Sequence, residues 1–347
     1  MRRALRFAAA AVVGASIIVL PGAAQAQNPR WRVDIVALDG TKVADVLLAD
    51  VRGRPEIVAE AQNGAFFGVT FGEDGATVSR LANFARPRPA RRGGMLPDGE
   101  VSTGTNGIAE AWLTGPTRRY PHGIMGDTIE ASGIRVVTDE GKILETTLGP
   151  NSVFEDRLAR LADVDGDGRD EVVVVHTYLN AGAALAVYEV RGGALRRMAE
   201  APPIGRPSRW LNPVGVADFD GDGVPELAAV ITPHIGGILK IYSVQGSVLV
   251  EEGATARGFS NHFIGSRELG MSAMADANGD GVTDIFVPSA DRGALRIVTF
   301  AGGEFTEIAN LPLPARVNTA LVRAPGAASP TFVFGLSDGR LAVVRRN

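Results

Sequence analysis

Three short segments of the chain carry acidic side chains at alternating positions, interleaved with glycine. They read DVDGDGRDE at residues 163–171, DFDGDGVPE at 218–226 and DANGDGVTD at 276–284. Glycine at the fourth and sixth positions permits tight turns that a Cβ atom would block, so the side chains at positions 1, 3 and 5 face one centre. Carboxylates held that close repel one another unless a cation neutralises them. The pattern therefore predicts a cation site in each segment.

The donor atoms of these loops favour calcium. Side chains at positions 1, 3, 5 and 9 and the main-chain carbonyl at position 7 supply several hard oxygens, which suits Ca²⁺, whereas Mg²⁺ keeps more water. An apolar β-type run follows each loop, with no exiting helix and no Glu at position 12, so the loops are not EF-hands. An acidic turn without an ion is the alternative. The predicted ligands of three calcium ions are Asp163, Asp165, Asp167, Arg169 and Glu171; Asp218, Asp220, Asp222, Val224 and Glu226; and Asp276, Asn278, Asp280, Val282 and Asp284.

The elements that position these loops recur along the chain. The loops start 55 and 58 residues apart, and each precedes an apolar run, a glycine-containing gap and further strand patterns. Weaker copies start at residues 50, 102 and 323. Self-similarity at this period is the signature of a repeat architecture. The sequence predicts an all-β fold, a β-propeller with six blades of four strands.

The two ends of the repeat series predict how the ring closes. The last copy stops after its third strand at Val344, and an orphan strand pattern, residues 31–37, precedes the first copy. That strand can complete the last blade, which leaves only short, protected edges. One alternative is a solenoid, which would need capping repeats that the sequence lacks. The other is a seventh blade within the Pro/Arg-rich segment 85–101, which has no strand pattern.

The loop pattern, D-x-[DN]-G-D-G-x-x-[DE] followed by a β run, resembles the FG-GAP/VCBS repeats, which also build the propellers of integrin α-subunits. The resemblance is strong in the third to fifth copies and weak in the others. It implies a calcium-binding propeller. It implies no single activity, because members of this family include adhesion domains, ligand-binding domains and propellers attached to enzymes.

The N-terminus has the pattern of a secretory signal. Arg2, Arg3 and Arg6 precede an almost continuous apolar run, and Ala24-Gln25-Ala26 forms a small-x-small cleavage pattern. We expect a signal peptide at 1–26 and a single propeller domain at 27–347, in the periplasm or outside the cell. An uncleaved membrane anchor is the alternative. No other apolar run is long enough to span a bilayer, so we expect no stable membrane insertion after cleavage.

Composition excludes several classes of protein. The chain has 347 residues, a formal net charge of −4 and no cysteine. The absence of cysteine rules out disulfides, thiol catalysis and thiolate metal sites. An acidic chain without a long basic run argues against nucleic-acid binding.

A second set of polar residues falls in loops at the opposite ends of the predicted strands. This set includes all four histidines and several arginines, among them Arg118, Arg119, Arg292 and Arg316. Arginine binds carboxylate or phosphate and aromatic rings stack on sugars, so such a face suits an anionic or sugar-like ligand. The alternative is that these residues bridge blades and cap turns. The predicted ligand face comprises His122, His176, Arg209, Trp210, Asn212, His234, Asn261, His262 and Arg267.

The sequence carries no Ser-His-Asp signature, no P-loop and no H-E-x-x-H motif. We therefore expect a monomeric, non-catalytic binding module for an unknown protein or glycan, acting through the face opposite the calcium loops. The alternative is a propeller enzyme of lyase or hydrolase type that uses the histidines.

Overall fold

The computed structural model describes residues 31–72 and 75–346, and the predicted signal peptide lies outside this part of the chain. The described residues form an all-β protein whose helical content is one 3-10 turn, Ala301–Gly303. None of the helices in the described part of the chain is long and apolar enough to cross a membrane.

Most strands belong to six antiparallel units of four strands, taken in chain order. The strands of units 1 to 3 are β2 (Val43–Val51), β3 (Arg54–Ala61), β4 (Phe66–Gly72) and β5 (Gly75–Arg80); β6 (Ser102–Thr103), β7 (Ile108–Thr117), β8 (Glu130–Thr138) and β9 (Ile143–Thr147); and β11 (Arg160–Ala162), β12 (Glu171–Tyr178), β13 (Gly182–Arg191) and β14 (Ala194–Glu200). Units 4 and 5 comprise β15 (Leu211–Ala217), β16 (Glu226–Ile231), β17 (Ile238–Gln245) and β18 (Val248–Arg257); and β19 (Ala273–Ala275), β20 (Asp284–Pro288), β21 (Ala294–Thr299) and β22 (Thr306–Pro312). The first three strands of unit 6 are β23 (Val322–Arg323), β24 (Thr331–Gly335) and β25 (Leu341–Arg346). These units coincide with the six copies found in the sequence.

The fourth strand of unit 6 comes from the other end of the described chain. Strand β1 (Trp31–Val36) pairs antiparallel with β25, from Trp31 opposite Arg346 to Val36 opposite Leu341. This is the strand pairing that the orphan pattern predicted. It covers the edge of β25, whose main-chain hydrogen-bonding groups would otherwise be open to another strand.

Burial explains the strand patterns within each unit. The second strands of units 4 to 6 are buried along their whole length: β16 reads ELAAVI and β20 reads DIFVP, with every residue buried. Continuous runs of this kind suit a strand covered on both faces. The fourth strands are less buried: β22 alternates between buried and exposed positions towards its end, and β5 has no fully buried residue. Each unit therefore has a buried centre and a half-solvated outer strand.

Hydrophobic clusters connect consecutive units. Units 2 and 3 share a cluster with Ile108 and Tyr188, and units 3 and 4 share one with Val187 and Leu227. Units 4 and 5 meet around Phe219 and Ile285, units 5 and 6 around Phe286 and Phe332, and units 6 and 1 around Val343 and Ile57. Strand β10 (Ser152–Phe154), between β8 and β12, and one bridge from Glu200 to Val248 make units 2 to 4 a continuous sheet.

The link between units 1 and 2 is different. Residues 81–101 contain no strand, and within them Met95 forms an isolated bridge to Thr114. Arg86 of this segment pairs with Asp45 and Glu60 of unit 1, at 2.7 and 2.6 Å. The segment proposed for a seventh blade therefore contributes no four-stranded unit in the described chain.

A cavity of about 790 Å³ is bordered by residues from, or next to, the first strand of every unit. The lining includes Asp45 (unit 1), Glu100 (before β6), Arg160 (unit 3), Val214 (unit 4), Ser272 (before β19) and Thr319 (before β23). The first strands therefore surround one common space.

Candidate metal centres and the opposite loop face

The three acidic loops join the first strand to the second strand in units 3, 4 and 5, and they share one hydrogen-bond pattern. In the loop of unit 4, Asp218 accepts hydrogen bonds from the main-chain N–H groups of Gly221, at 2.7 Å, and Gly223, at 3.0 Å. Asp163 does the same for Gly166 and Gly168, and Asp276 for Gly279 and Gly281. The position-1 carboxylate therefore organises each turn.

The glycines of these loops meet the conformational requirement that the sequence analysis inferred. Gly221 has φ of 87° and Gly223 has φ of 89°, and the paired glycines of the other two loops lie between 76° and 88°. Residues with a Cβ atom rarely adopt this left-handed region. The alternation of acid and glycine is thus a backbone requirement as well as a source of ligands.

The position-9 carboxylates are buried and held in place. Glu226 accepts a hydrogen bond from the Phe219 N–H group at 2.7 Å, Glu171 from Val164 at 3.0 Å and Asp284 from Ala277 at 2.7 Å. All three residues are at most 4% exposed. Each one sits at the start of a second strand, so the strand itself delivers this carboxylate to the base of the loop.

The carboxylates of two loops converge. One oxygen from each of Asp218, Asp220, Asp222 and Glu226 lies within 4.8 Å of the others, and the same is true of Asp163, Asp165 and Glu171. Burial, together with the neighbouring aspartates, raises the pKa values of Glu171 and Glu226 to about 7. No ion pair within the described part of the chain balances the negative charge of these carboxylates, and a hard cation would neutralise it.

The loop of unit 5 has the same frame with one neutral ligand. Asn278 stands at position 3 and donates through Nδ2 to Asp280 Oδ2 at 2.7 Å. The second oxygen of Asp284, Oδ1, is buried without a hydrogen-bond partner among the described residues. Burial raises the pKa of Asp284. A buried carboxylate oxygen without a donor is what a cation-binding loop leaves for its ion.

The main-chain carbonyls predicted as ligands are free to bind. The N–H groups of Arg169, Val224 and Val282 donate to the position-5 side chains at 2.7 to 2.8 Å. No described residue donates a hydrogen bond to the carbonyl oxygens of these three residues. The three oxygen sets therefore fit a hard, oxygen-loving cation such as Ca²⁺.

The predicted ligand face lies at the other end of the second strands, and a chain of hydrogen bonds links its centre. His262 Nε2 donates to the carbonyl of Ser266 at 2.9 Å, so His262 Nδ1 accepts from His234 Nε2 at 2.8 Å. Trp210 stacks on His234, with centroids 6.0 Å apart and planes within 3°. Burial lowers the pKa of His234 to about 4 and that of His262 to about 3, with a further contribution from nearby cationic groups. Both rings are neutral at pH 7.

Sequence reasoning missed the carboxylates beneath this face. His122 Nδ1 donates to Glu155 Oε1 at 2.5 Å, and Thr177 donates to Glu155 Oε2 at 2.8 Å. Burial and the nearby Glu155 raise the pKa of Glu130, in β8, to about 9. A signal was present, since the acidic pair Glu155-Asp156 directly follows the apolar β10, but the sequence did not show that β8 lies beside it.

Four further members of the face make contacts within the protein. His176 Nδ1 bonds with Glu200, and its ring packs on Tyr178 with centroids 4.5 Å apart. Asn212 and Asn261 each donate to the other's main-chain carbonyl, at 3.1 and 3.2 Å. The exposed Arg267 pairs with Asp98 at 3.0 Å and with Asp127 at 3.3 Å.

Burial changes the interpretation of the predicted ligand face. Trp210 is 2% exposed, and its Nε1 donates to the Glu155 carbonyl at 2.9 Å. A buried side chain cannot contact a soluble ligand, so the structural alternative describes this part of the set better. The buried members are His176, Trp210, Asn212, Asn261 and His262, and the partly or fully exposed members are His122, Arg209, His234 and Arg267.

Comparison with known proteins locates one relationship in sequence and gives weak similarity in structure. Residues 163–229 match the model of a family described as FG-GAP-like repeat. No curated protein matches the chain. Among solved structures, the WD40 domain of Toxoplasma gondii coronin has a TM-score of 0.44 and 11% identity, with 91% of this chain and 86% of that chain covered. BBS1N in complex with ARL6DN has a TM-score of 0.46 and 12% identity, with 91% and 95% covered.

The matched residues contain the complete loops of units 3 and 4, the whole of β12 and the first residues of β16. The resemblance of the acidic loops is thereby confirmed over this part of the chain. Residues 163–229 are therefore similar to an FG-GAP-like repeat.

Proposed function

We propose that this protein is a closed six-bladed β-propeller that binds three calcium ions and acts, without catalysis, as an interaction module in the periplasm or outside the cell. The acidic loops carry the calcium ions at one end of the propeller. The loops at the opposite end carry the binding surface. We propose that the protein is a monomer in this role.

The closed propeller is supported by three features of the described chain. The six units follow one another with a hydrophobic cluster between most consecutive pairs, and units 6 and 1 share such a cluster. Strand β1 completes the last unit. The first strands border one common cavity. A ring of blades around a central channel accounts for all three features.

Calcium binding rests on one observation above the others: three loops share the same hydrogen-bonded frame, and each has a buried carboxylate at position 9. Asp218, Asp220, Asp222 and Glu226, with the Val224 carbonyl, would hold the ion in unit 4, and the equivalent residues would hold the ions in units 3 and 5. The ion would neutralise the clustered carboxylates and tie the first strand of each unit to the second.

Metal analysis and titration calorimetry test the calcium proposal. The purified protein, stripped with EDTA and titrated with Ca²⁺, should bind close to three ions. Asp220→Ala should remove about one of them, while Glu140→Gln, at an exposed position outside the acidic loops, should remove none. Zero or one ion per chain would overturn the proposal, and six would show that the corresponding loops of units 1, 2 and 6 also bind an ion.

The interaction role is tested by site-specific crosslinking. A photo-reactive amino acid at Ile264, on the proposed binding end, should capture a partner from the secreted or periplasmic fraction, whereas the same group at Val224, within a calcium loop, should not. Both side chains are exposed. Capture at Val224 alone would place the binding surface at the wrong end of the molecule.

A further inference from the structure

Loops at the end of the molecule opposite the acidic loops form a continuous arc. Ser208 N–H donates to the Tyr120 hydroxyl at 2.8 Å, and Thr232 N–H donates to the Trp210 carbonyl at 2.9 Å. Further main-chain hydrogen bonds, from Gly258 to Gly237, from Ala290 to Gly258 and from Val317 to Arg292, extend the contact at 2.9 to 3.0 Å. The resulting surface, called the basic arc here, comprises residues 118–122, 205–210, 232–237, 258–265, 289–293 and 313–317.

Charge is segregated on this arc. Its six basic side chains are all arginine, and its single carboxylate is Asp291, in a chain that has more acidic than basic residues overall. The Asp291 carboxylate is hydrogen-bonded within its own loop: it accepts from Ser289 Oγ at 2.6 Å and from Gly293 N–H at 3.0 Å. The arginines are Arg118, Arg119, Arg206, Arg209, Arg292 and Arg316.

None of these six arginines forms an ion pair with a described residue. Their side chains instead contact neutral groups: Arg118 donates to Thr128 Oγ1 at 2.7 Å and Arg209 donates to the Ser208 carbonyl at 2.9 Å. Arg292 lies over the ring of Phe263, 4.3 Å from its centroid. The Arg119 guanidinium has two buried nitrogens, Nε and Nη2, that find no hydrogen-bond acceptor among the described residues. The arc thus presents guanidinium groups that no described ion pair neutralises, although Arg316 has an electrostatic interaction with Asp291.

Two exposed apolar side chains lie within the same arc. Ile235 is 62% exposed and Ile264 is 68% exposed. Ile235 directly follows His234, and Ile264 lies two residues after His262. His234 Nε2 and His262 Nδ1 are 2.8 Å apart, so the two isoleucines flank one short stretch of surface. Arginine is enriched at protein interfaces, and the buried core of an interface is more apolar than the rest of the surface.

We propose that the basic arc docks an acidic polypeptide segment of another protein, whose carboxylates pair with the arginines and whose apolar side chains cover Ile235 and Ile264. This inference rests on the proposed interaction role and specifies its partner. Charge complementarity supports it, since planar guanidinium groups bind carboxylates bidentately. The contact with Ile235 and Ile264 favours a segment in which acidic and aliphatic residues alternate, and it disfavours a polyanion that has no apolar side chains.

Fluorescence anisotropy with a labelled synthetic peptide of glutamate, leucine and glycine tests the proposal. The purified protein with calcium present should bind it, and the affinity should fall as sodium chloride is raised. A variant peptide with glutamine for glutamate should bind about tenfold more weakly or worse, and polyglutamate should also bind more weakly. Equal binding of the glutamine peptide would overturn the charge argument.

Substitutions in the protein test whether the peptide binds at the basic arc. Arg118→Ser, Arg206→Ser and Arg209→Ser together should weaken binding about tenfold, because exposed pairs contribute a few tenths to one kcal/mol each. The matched control, Arg54→Ser, Arg80→Ser and Arg196→Ser, removes three exposed arginines that lie outside the arc and form no ion pair with a described residue. It should bind like the wild type. Equal loss in both triple variants would mean nonspecific attraction and would overturn the proposal.

Ile235→Ser with Ile264→Ser should weaken peptide binding several-fold while the melting temperature stays unchanged. Two other occupants are outcomes of the same experiments. Self-association in light scattering that disappears on calcium addition would assign the arc to the acidic loops of a second copy. Tighter binding of an acidic polysaccharide than of the peptide would assign it to a glycan. Either result overturns this proposal. Calcium titration of the same samples separates its failure from failure of the calcium-binding role.

Discussion

The indole ring of Trp31 packs edge-on against the ring of Phe286, with centroids 5.4 Å apart. Trp31 opens β1 in unit 6, and Phe286 lies in the buried second strand of unit 5. The strand that completes the last unit therefore also joins that unit to the preceding one. Its main-chain pairing with β25 completes unit 6, and its Trp31 side chain packs unit 6 against unit 5.

Trp31→Ala should lower the free energy of unfolding by about 3–5 kcal/mol, because Trp31 is 8% exposed and truncation leaves a cavity between two units. Trp31→Phe keeps an aromatic contact and should cost clearly less. Urea unfolding followed by circular dichroism measures both. Equal, small losses for the two variants would show that the contact with Phe286 is dispensable.

Deletion of residues 27–38 should cause aggregation or loss of cooperative unfolding, because it leaves β25 with an unpaired edge. Size-exclusion chromatography and thermal unfolding of the shortened chain provide the check. A deletion variant that stays monomeric and melts like the full chain would argue against closure by β1.

Trp210 and Arg209 are neighbours with different expected roles. Trp210→Ala should cost about 3–5 kcal/mol, since the ring is 2% exposed and its Nε1 donates to the Glu155 carbonyl. Arg209→Ala should change stability by less than about 0.5 kcal/mol, because its side-chain contact is a hydrogen bond to the adjacent Ser208. Thermal unfolding of the two single variants separates architecture from surface.

Glu226→Gln should have opposite effects with and without calcium. In the calcium-free protein, the pKa of Glu226 is raised to about 7 by burial and by neighbouring aspartates, so at pH 8 the ionised side chain destabilises the fold. Glutamine keeps an acceptor for the Phe219 N–H group and removes the charge. We expect a higher melting temperature than the wild type in EDTA and a smaller gain on calcium addition. A lower melting temperature in EDTA would contradict the charge argument.

The histidine pair predicts acid sensitivity. The pKa of His262 is about 3 in the folded protein, below the unfolded value of about 6.5, and the pKa of His234 is about 4. The unfolded chain therefore binds protons first, so stability is full above pH 6.5 and falls as the pH drops towards 4. His262 alone should cost about 2 kcal/mol between pH 7.5 and pH 5.

Urea midpoints in EDTA at those two pH values measure this effect without calcium. Nearby His122, Arg157 and Arg292 also disfavour protonation of the two histidines and so lower their pKa values further. His234→Gln with His262→Gln should be less stable at pH 7.5 but should lose less stability on acidification. A double variant with the pH dependence of the wild type would show that other groups cause the acid response.

Much of the fold could be predicted from the chemistry of residues that are close in the sequence. The alternation of acid and glycine fixed the turns of residues 163–171, 218–226 and 276–284, because their hydrogen bonds run between residues two to seven apart. Apolar runs after each loop predicted the second strands, since continuous burial leaves a pattern readable along the chain. Even the pairing of β1 with β25 followed from counting strands in the last copy.

The opposite face was decided by tertiary packing. The sequence determined that His122, Trp210, His234 and His262 occur in loops, but loops from units far apart in the chain bury one another. Trp210 is covered because Glu155, 55 residues earlier, accepts its hydrogen bond, and His262 is neutral because packing buries it beside His234 and Arg292, which lowers its pKa. Whether a polar side chain faces solvent or a buried partner depends on which loops meet, and that is a property of packing between units that no local pattern encodes.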